Sequence, residues 1–139
     1  MLSPKRTKYR KTFKNLPLTL EHSNNQLAFG SFALKSLGFA RLTAKQIESA
    51  RRAITRKIKR RGKLWIKVFP HIPVTSKPTE VRMGKGKGSV SYWCSPLKPG
   101  TLLFELDGVS YDLASQALRL GANKLPFKTK LITQYTTLK

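Results

Sequence analysis

The sequence predicts an α+β fold, with two helices packed on one face of a mixed or mainly antiparallel sheet. Three observations lead there. Apolar residues recur at helical spacing in two segments, near 43–61 and 110–121, and alternate at strand spacing in five others. The order is strand, helix, three strands, helix, strand. A content of 40% apolar residues, including seven Phe, four Tyr and two Trp, is enough for one core.

Residues 1–25 carry basic charge, then Asn, Ser and Pro with scattered Leu, and read as an extended arm that orders on binding. Residues 26–139 read as a single folded unit. From Gln26 to Leu37 the alternation predicts a strand covered on both faces or nearly so. Thr43 and Gln46 form a capping box that opens a helix, expected to run to about Arg61 with Gly62 as its cap. Lys63 to Phe69 alternates apolar and basic residues up to Pro70, as a strand would, and Ser89 to Cys94 follows as the next. Pro96 to Gly100 reads as a turn. Thr101 to Asp107 is a further strand, closed by the Asp107-Gly108 turn signal. Ser110 is placed to cap a second helix, with Leu113, Ala114, Ala117 and Leu118 at helical spacing as far as Gly121. Phe127 to Tyr135 alternates again and is expected to return to the sheet.

Twenty-eight Lys and Arg against six acidic residues leave a formal charge of +22, which points to a polyanionic partner and above all to nucleic acid. No apolar run approaches the roughly eighteen residues of a membrane span, so a soluble chain is expected. No apolar h-region follows the basic N-terminus, which argues against a secretory signal. With Cys94 alone, no internal disulfide can form, and a reducing compartment is favoured.

At 100° per residue, Ile47, Ala50, Ile54 and Ile58 lie on one side of the first helix, and Lys45, Arg52, Arg56 and Lys59 on the other. Arg51 and Lys57 flank the apolar stripe. Only Glu48 offsets this charge, so few ion pairs within the helix account for it, and phosphate contact is the better reading than a solvated face. The 76–88 segment ends in Val81-Arg82-Met83-Gly84-Lys85-Gly86-Lys87-Gly88, three alternate glycines among cations. Glycine permits close backbone approach to phosphate, and the lysines supply charge. It is not a Walker loop, since Val81 and Gly88 stand where Gly and Ser or Thr are required. The competing reading is a basic hairpin loop.

Catalytic constellations are scarce. His22 and His71 are the only imidazoles, and with a single Cys no metal site is expected. Glu105 and Asp107 share a strand face, where pairing to Lys or Arg is the simpler assignment. Trp65 and Trp93 read as core, although Lys63 and Lys67 on the Trp65 face suggest that it is partly open. The rival functions are a small basic ribonuclease using the two histidines, a nucleoid-type DNA protein and, more remotely, a membrane-active polycation.

The blocks Pro4-Lys5-Arg6-Thr7-Lys8, Phe29-Gly30-Ser31-Phe32, Leu42 to Glu48, Ala50-Arg51-Arg52-Ala53, Val81 to Gly88, Tyr92-Trp93, Pro99-Gly100, Gly108-Val109 and Lys124-Leu125-Pro126 occur in one order. Through them the chain closely resembles the bacterial-type large-subunit ribosomal protein sixteen family. The resemblance implies a non-catalytic constituent of the large ribosomal subunit, without cofactor or metal. It further implies contact with large-subunit rRNA, with the tRNA in the aminoacyl site and with neighbouring ribosomal proteins, and no homo-oligomer or membrane association. The rRNA contacts expected from arm and helix are Lys5, Arg6, Lys8, Arg10, Lys11, Lys45, Arg51, Arg52, Arg56 and Lys59. The loop expected to face tRNA near the peptidyl-transferase region is Arg82, Met83, Gly84, Lys85, Gly86, Lys87 and Gly88.

Three stretches depart from the family pattern. Asn15 to Asn25 lacks the usual Gly and Arg, His71-Ile72 replaces an Asp-Lys pair, and Cys94-Ser95 replaces an apolar pair. The match begins at Leu2, so no cleaved presequence is expected, and synthesis in a bacterium or from an organelle genome follows. The divergent arm leans toward a mitochondrion.

Overall fold

The computed structural model describes residues 2–14 and 19–134. In chain order the elements are β1 (Phe32–Ser36), β2 (Ala40–Thr43), α1 (Ala44–Ile58), β3 (Lys63–Ile66), β4 (Ile72–Ser76), β5 (Ser89–Leu97), β6 (Leu102–Asp107), α2 (Tyr111–Ala122) and β7 (Thr129–Thr133). The class is α+β. The strands form two antiparallel sheets where one was expected: a four-stranded sheet ordered β3-β6-β1-β7 and a three-stranded sheet ordered β2-β5-β4.

The second sheet joins the two strands that alternation misses, β2 and β4, to β5. β4 contains Pro73, which cannot donate to a ladder, but β4 is an edge strand and tolerates it. β5 continues through Pro96 to Leu97 instead of turning there. It pairs with β4 through Ser89 to Cys94 and with β2 through Cys94 to Leu97, so Pro96 has a partner on one side only.

Helix α1 begins as expected, with the Thr43 hydroxyl accepting from the Gln46 N–H and the Gln46 side chain accepting from the Thr43 N–H. It ends earlier than the sequence suggests, at Ile58. Lys59 and Arg60 both adopt left-handed backbone, at φ 50° and 63°. Gly62 serves a different purpose from capping: a Cβ there would lie 2.2 Å from the Asp107 carbonyl oxygen, so glycine is what allows β3 to enter beside β6. Ser110 holds the N-cap position of α2, but its hydroxyl makes no capping bond.

The core lies between the helices and the sheets. Leu34, Leu42, Ile47, Ile54, Leu97, Phe104, Leu106 and Leu118 are all buried in one cluster. The helices touch at Gly121, where a Cβ would sit 2.7 Å from Ile54 Cγ1. β6 is buried from Leu102 to Leu106. Helix-side residues cover one of its faces, and the segment 24–30 covers part of the other.

That segment is the largest departure from the expected strand over Gln26 to Leu37, of which only Phe32–Ser36 is regular. The N–H groups of Ala28, Phe29 and Gly30 donate to the Glu105 carboxylate, which leaves them none for a sheet ladder. Residues at the end of the arm also reach β6 and its approach: Glu21 N–H donates to the Pro99 carbonyl, and Asn24 bonds Leu102 through both backbone and side chain. The strands expected over Lys63 to Phe69 and Phe127 to Tyr135 are shorter, Lys63–Ile66 and Thr129–Thr133, and Tyr135 lies outside the described residues. So do Asn15 to Leu18 of the divergent stretch.

Candidate nucleic-acid interface

Helix α1 buries Ala44, Ile47, Ala50, Ile54 and Ile58, which turns Lys45, Arg52, Arg56 and Lys59 outward, with Arg51 and Lys57 half-buried on the flanks. Lys45, Arg52 and Arg56 line an open cleft of about 400 Å³ together with Glu48 and Lys124. Lys124 comes from the turn after α2, and nothing in its local sequence marks it as part of this face. Glu48 is more heavily engaged than its isolation in sequence suggests. Its carboxylate accepts from Arg51 at 2.7 and 2.8 Å and from Arg52 at 3.0 Å. The Arg51 hydrogen bond, with a further one from Arg52, holds the Glu48 carboxyl down to about 2.

In the arm, Lys5, Arg6, Lys8, Arg10 and Lys11 are exposed, while Leu2 packs against the core. The middle of the arm meets the glycine-rich segment. Lys11 Nζ donates to the Lys87 carbonyl at 2.8 Å, Lys87 Nζ donates back to the Thr12 carbonyl, and the same ammonium lies 5.4 Å from the Phe13 ring centroid. Lys87 thus ties the loop to the arm.

Residues 77–88 connect β4 to β5 as a long hairpin tip, closed by the Ser76–Ser89 pair. Gly84, Lys85 and Gly86 have φ of 99°, 54° and 84°, a left-handed run that two glycines make accessible. Gly88 plays another part, since a Cβ there would meet the Ser76 carbonyl oxygen at 2.3 Å and open the hairpin neck. Arg82, Met83 and Lys85 project from the tip, with Met83 99% exposed. The Lys77 ammonium donates to the Gly84 carbonyl and braces the turn.

A further cluster lies on the face of the four-stranded sheet away from the helices. Trp65 stacks on Phe29 with centroids 5.9 Å apart and planes at 21°. Lys67 Nζ lies 4.6 Å from the Phe29 centroid, and Lys63 Nζ 5.2 Å from that of Trp65. Trp65 and Trp93 are both half-buried, so neither is full core. Beneath the rings Glu105 is fully buried, pairing with Lys67 at 3.2 Å. Burial by itself would raise its pKa, but the N–H groups of Phe29, Gly30 and Ala28 and the Lys67 ammonium outweigh that and lower it. Asp107 accepts from the Ser31 hydroxyl at 2.7 Å, which lowers its pKa. These two carboxylates hold backbone and side chains in place; sequence alone missed the backbone partners because they come from a segment that reads as strand.

His22 and His71 are exposed, with His71 Nδ1 3.1 Å from the Phe69 carbonyl. Cys94 and Ser95 are buried in β5, and burial pushes the Cys94 thiol up. Among the described residues no cluster of His, Cys, Asp and Glu could hold a metal, and no helix is long and apolar enough to cross a membrane.

Residues 4–132 match the family model described as Ribosomal protein L16p/L10e. The chain is 60% identical over 132 residues to the "Large ribosomal subunit protein uL16" of Chelativorans sp., covering 95% of this chain and 96% of the relative. Proteins of the same name from Psychrobacter arcticus and Sinorhizobium medicae are each 59% identical, with the same coverage.

Proposed function

The chain belongs to the L16p/L10e family of ribosomal proteins, and from that premise we propose that it binds large-subunit rRNA through the outward face of α1 and the basic arm. It is a structural protein of the large ribosomal subunit, not an enzyme. The observation that carries the rRNA reading is the cleft where Lys45, Arg52, Arg56 and Lys124 converge from two elements around a single carboxylate. Cations held on a rigid helix meet phosphates at little ordering cost, and structured RNA is read mainly by shape and backbone. The hairpin tip Arg82 to Gly88, whose left-handed turn leaves Met83 and Lys85 projecting, is assigned to the tRNA side near the peptidyl-transferase region. Lys87 contributes there by fixing the tip to the arm. The relatives named above are bacterial, so a ribosome in a bacterial cytoplasm is a better assignment than the mitochondrion toward which the divergent arm leans.

Replacing Arg51, Arg52 and Arg56 together by Ala tests this reading. Incorporation into large subunits, followed by sucrose-gradient sedimentation, is expected to fall sharply. The slope of log affinity for rRNA against log salt should shrink by roughly 2 to 3, about 0.7–0.9 for each phosphate contact removed. Undiminished incorporation would refute the assignment, and equal affinity for duplex DNA and folded rRNA would favour a general nucleic-acid binder instead.

A further inference from the structure

We propose that the Phe29–Trp65 stack is a docking site for an unpaired RNA base, a second contact separate from the α1 cleft and resting on the same rRNA-binding reading. Phe29 is 60% exposed, yet its backbone is clamped by the buried Glu105 carboxylate through the N–H groups of Phe29 and its two neighbours. A large apolar ring is therefore presented to solvent on a rigid support, which a mere surface residue does not require. The partner is narrowed by charge. Lys63, which is exposed, lies over Trp65 at 5.2 Å from its centroid, while Lys67, 4.6 Å from the Phe29 centroid, is committed to Glu105 beneath the ring. By strand alternation Lys35 and Lys130, paired across β1 and β7, extend the same sheet face.

The carboxylates on this face do not offset that charge for an incoming anion. Glu105 is fully buried and compensated by Lys67 and backbone N–H groups, and Asp107 is held by Ser31 at the strand end. A flat π surface edged by Lys63 and continued by Lys35 and Lys130, with its acids already engaged, fits a base and its neighbouring phosphates. An acidic peptide would find the charge but leave the rings without a planar partner.

The experiment uses the full chain carrying Trp93→Phe, which leaves Trp65 as the only tryptophan of the two in the sequence. The probes are a ten-nucleotide oligoadenylate and an abasic ribose-phosphate decamer of equal charge. Oligoadenylate is expected to quench Trp65 fluorescence and the abasic decamer to bind without doing so. Phe29→Leu, which keeps apolar cover but removes the ring, should weaken oligoadenylate binding by roughly 5- to 100-fold, as loss of one stacked base does, and leave the abasic decamer unaffected. Thermal melting of each variant checks that the fold is intact.

Equal quenching by both probes, or unchanged oligoadenylate binding in Phe29→Leu, overturns the base site while leaving the phosphate reading standing. Failure of both probes to bind overturns the base site as well. Loss of incorporation into subunits with oligoadenylate binding intact identifies the patch as a protein contact and likewise overturns it.

Discussion

Two glutamates of this chain each hold cations, and they do so in opposite settings. Glu48 lies on the surface of α1 with its side chain 26% exposed and is shared by Arg51 and Arg52. Glu105, in β6, is wholly buried beneath the segment before β1 and is shared by Lys67 and the backbone of residues 28–30. A surface pair is screened and readily exchanged for another anion, so on the rRNA-binding reading proposed above Glu48 holds two arginines in position for phosphate. A buried carboxylate has no water to fall back on. The formal interaction is the same in both places, and burial decides whether the pair can be exchanged or is locked into the fold.

Breaking the buried member is expected to have the largest effect. Glu105→Ala leaves the N–H groups of residues 28–30 and Lys67 without their acceptor, and a loss of roughly 3–5 kcal/mol is expected, seen as a large fall in the chemical-denaturation midpoint. Gly121→Ala is next. Its Cβ would press on Ile54 where α1 meets α2, and overpacking of this kind costs about 1–3 kcal/mol, read as a lower Tm.

Acid sharpens the contrast. Both glutamates have folded-state pKa values below the usual 4.5, so their stabilisation is complete above about that pH and fades as pH falls through the folded values, near 2 for Glu48. Melting followed across this range should show constant stability near neutrality and a decline below 4.5, and Glu48→Gln should remove only a small part of that decline, because solvent screens its pairs with the exposed arginines. The smallest effect on stability is expected at neutral pH. Glu48→Gln should change the unfolding free energy by less than about 1 kcal/mol. The same substitution should tighten rRNA binding, because Arg51 and Arg52 no longer leave a carboxylate to reach phosphate; weaker binding would mean that Glu48 positions the arginines for contact.

The α1 face was legible because its periodicity is strong and its ends are marked by local chemistry. Thr43 and Gln46 cap it through bonds that depend on spacing alone. The expected end near Arg61 differs from the observed one at Ile58 because the route into β3 is set by contact with β6, a strand some forty residues away. β2 and β4 escaped alternation for a related reason: four residues are too few to show a period, and Pro73 is acceptable only because β4 turns out to be an edge. The Phe29–Trp65 pair lies beyond local reading altogether, since its members are far apart in sequence and meet across β6.

By itself the sequence determined the class of fold, the two helices, the polyanionic partner and the family, all of which follow from short-range patterns, net charge and ordered blocks of residues. Tertiary structure decided the division into two sheets, the tie between arm and hairpin through Lys87, and the fate of the segment before β1. The physical reason is the same in each case: a backbone group bonds whichever partner the fold brings near, and Glu105 brings an acceptor to residues 28–30 that no neighbour in sequence could offer.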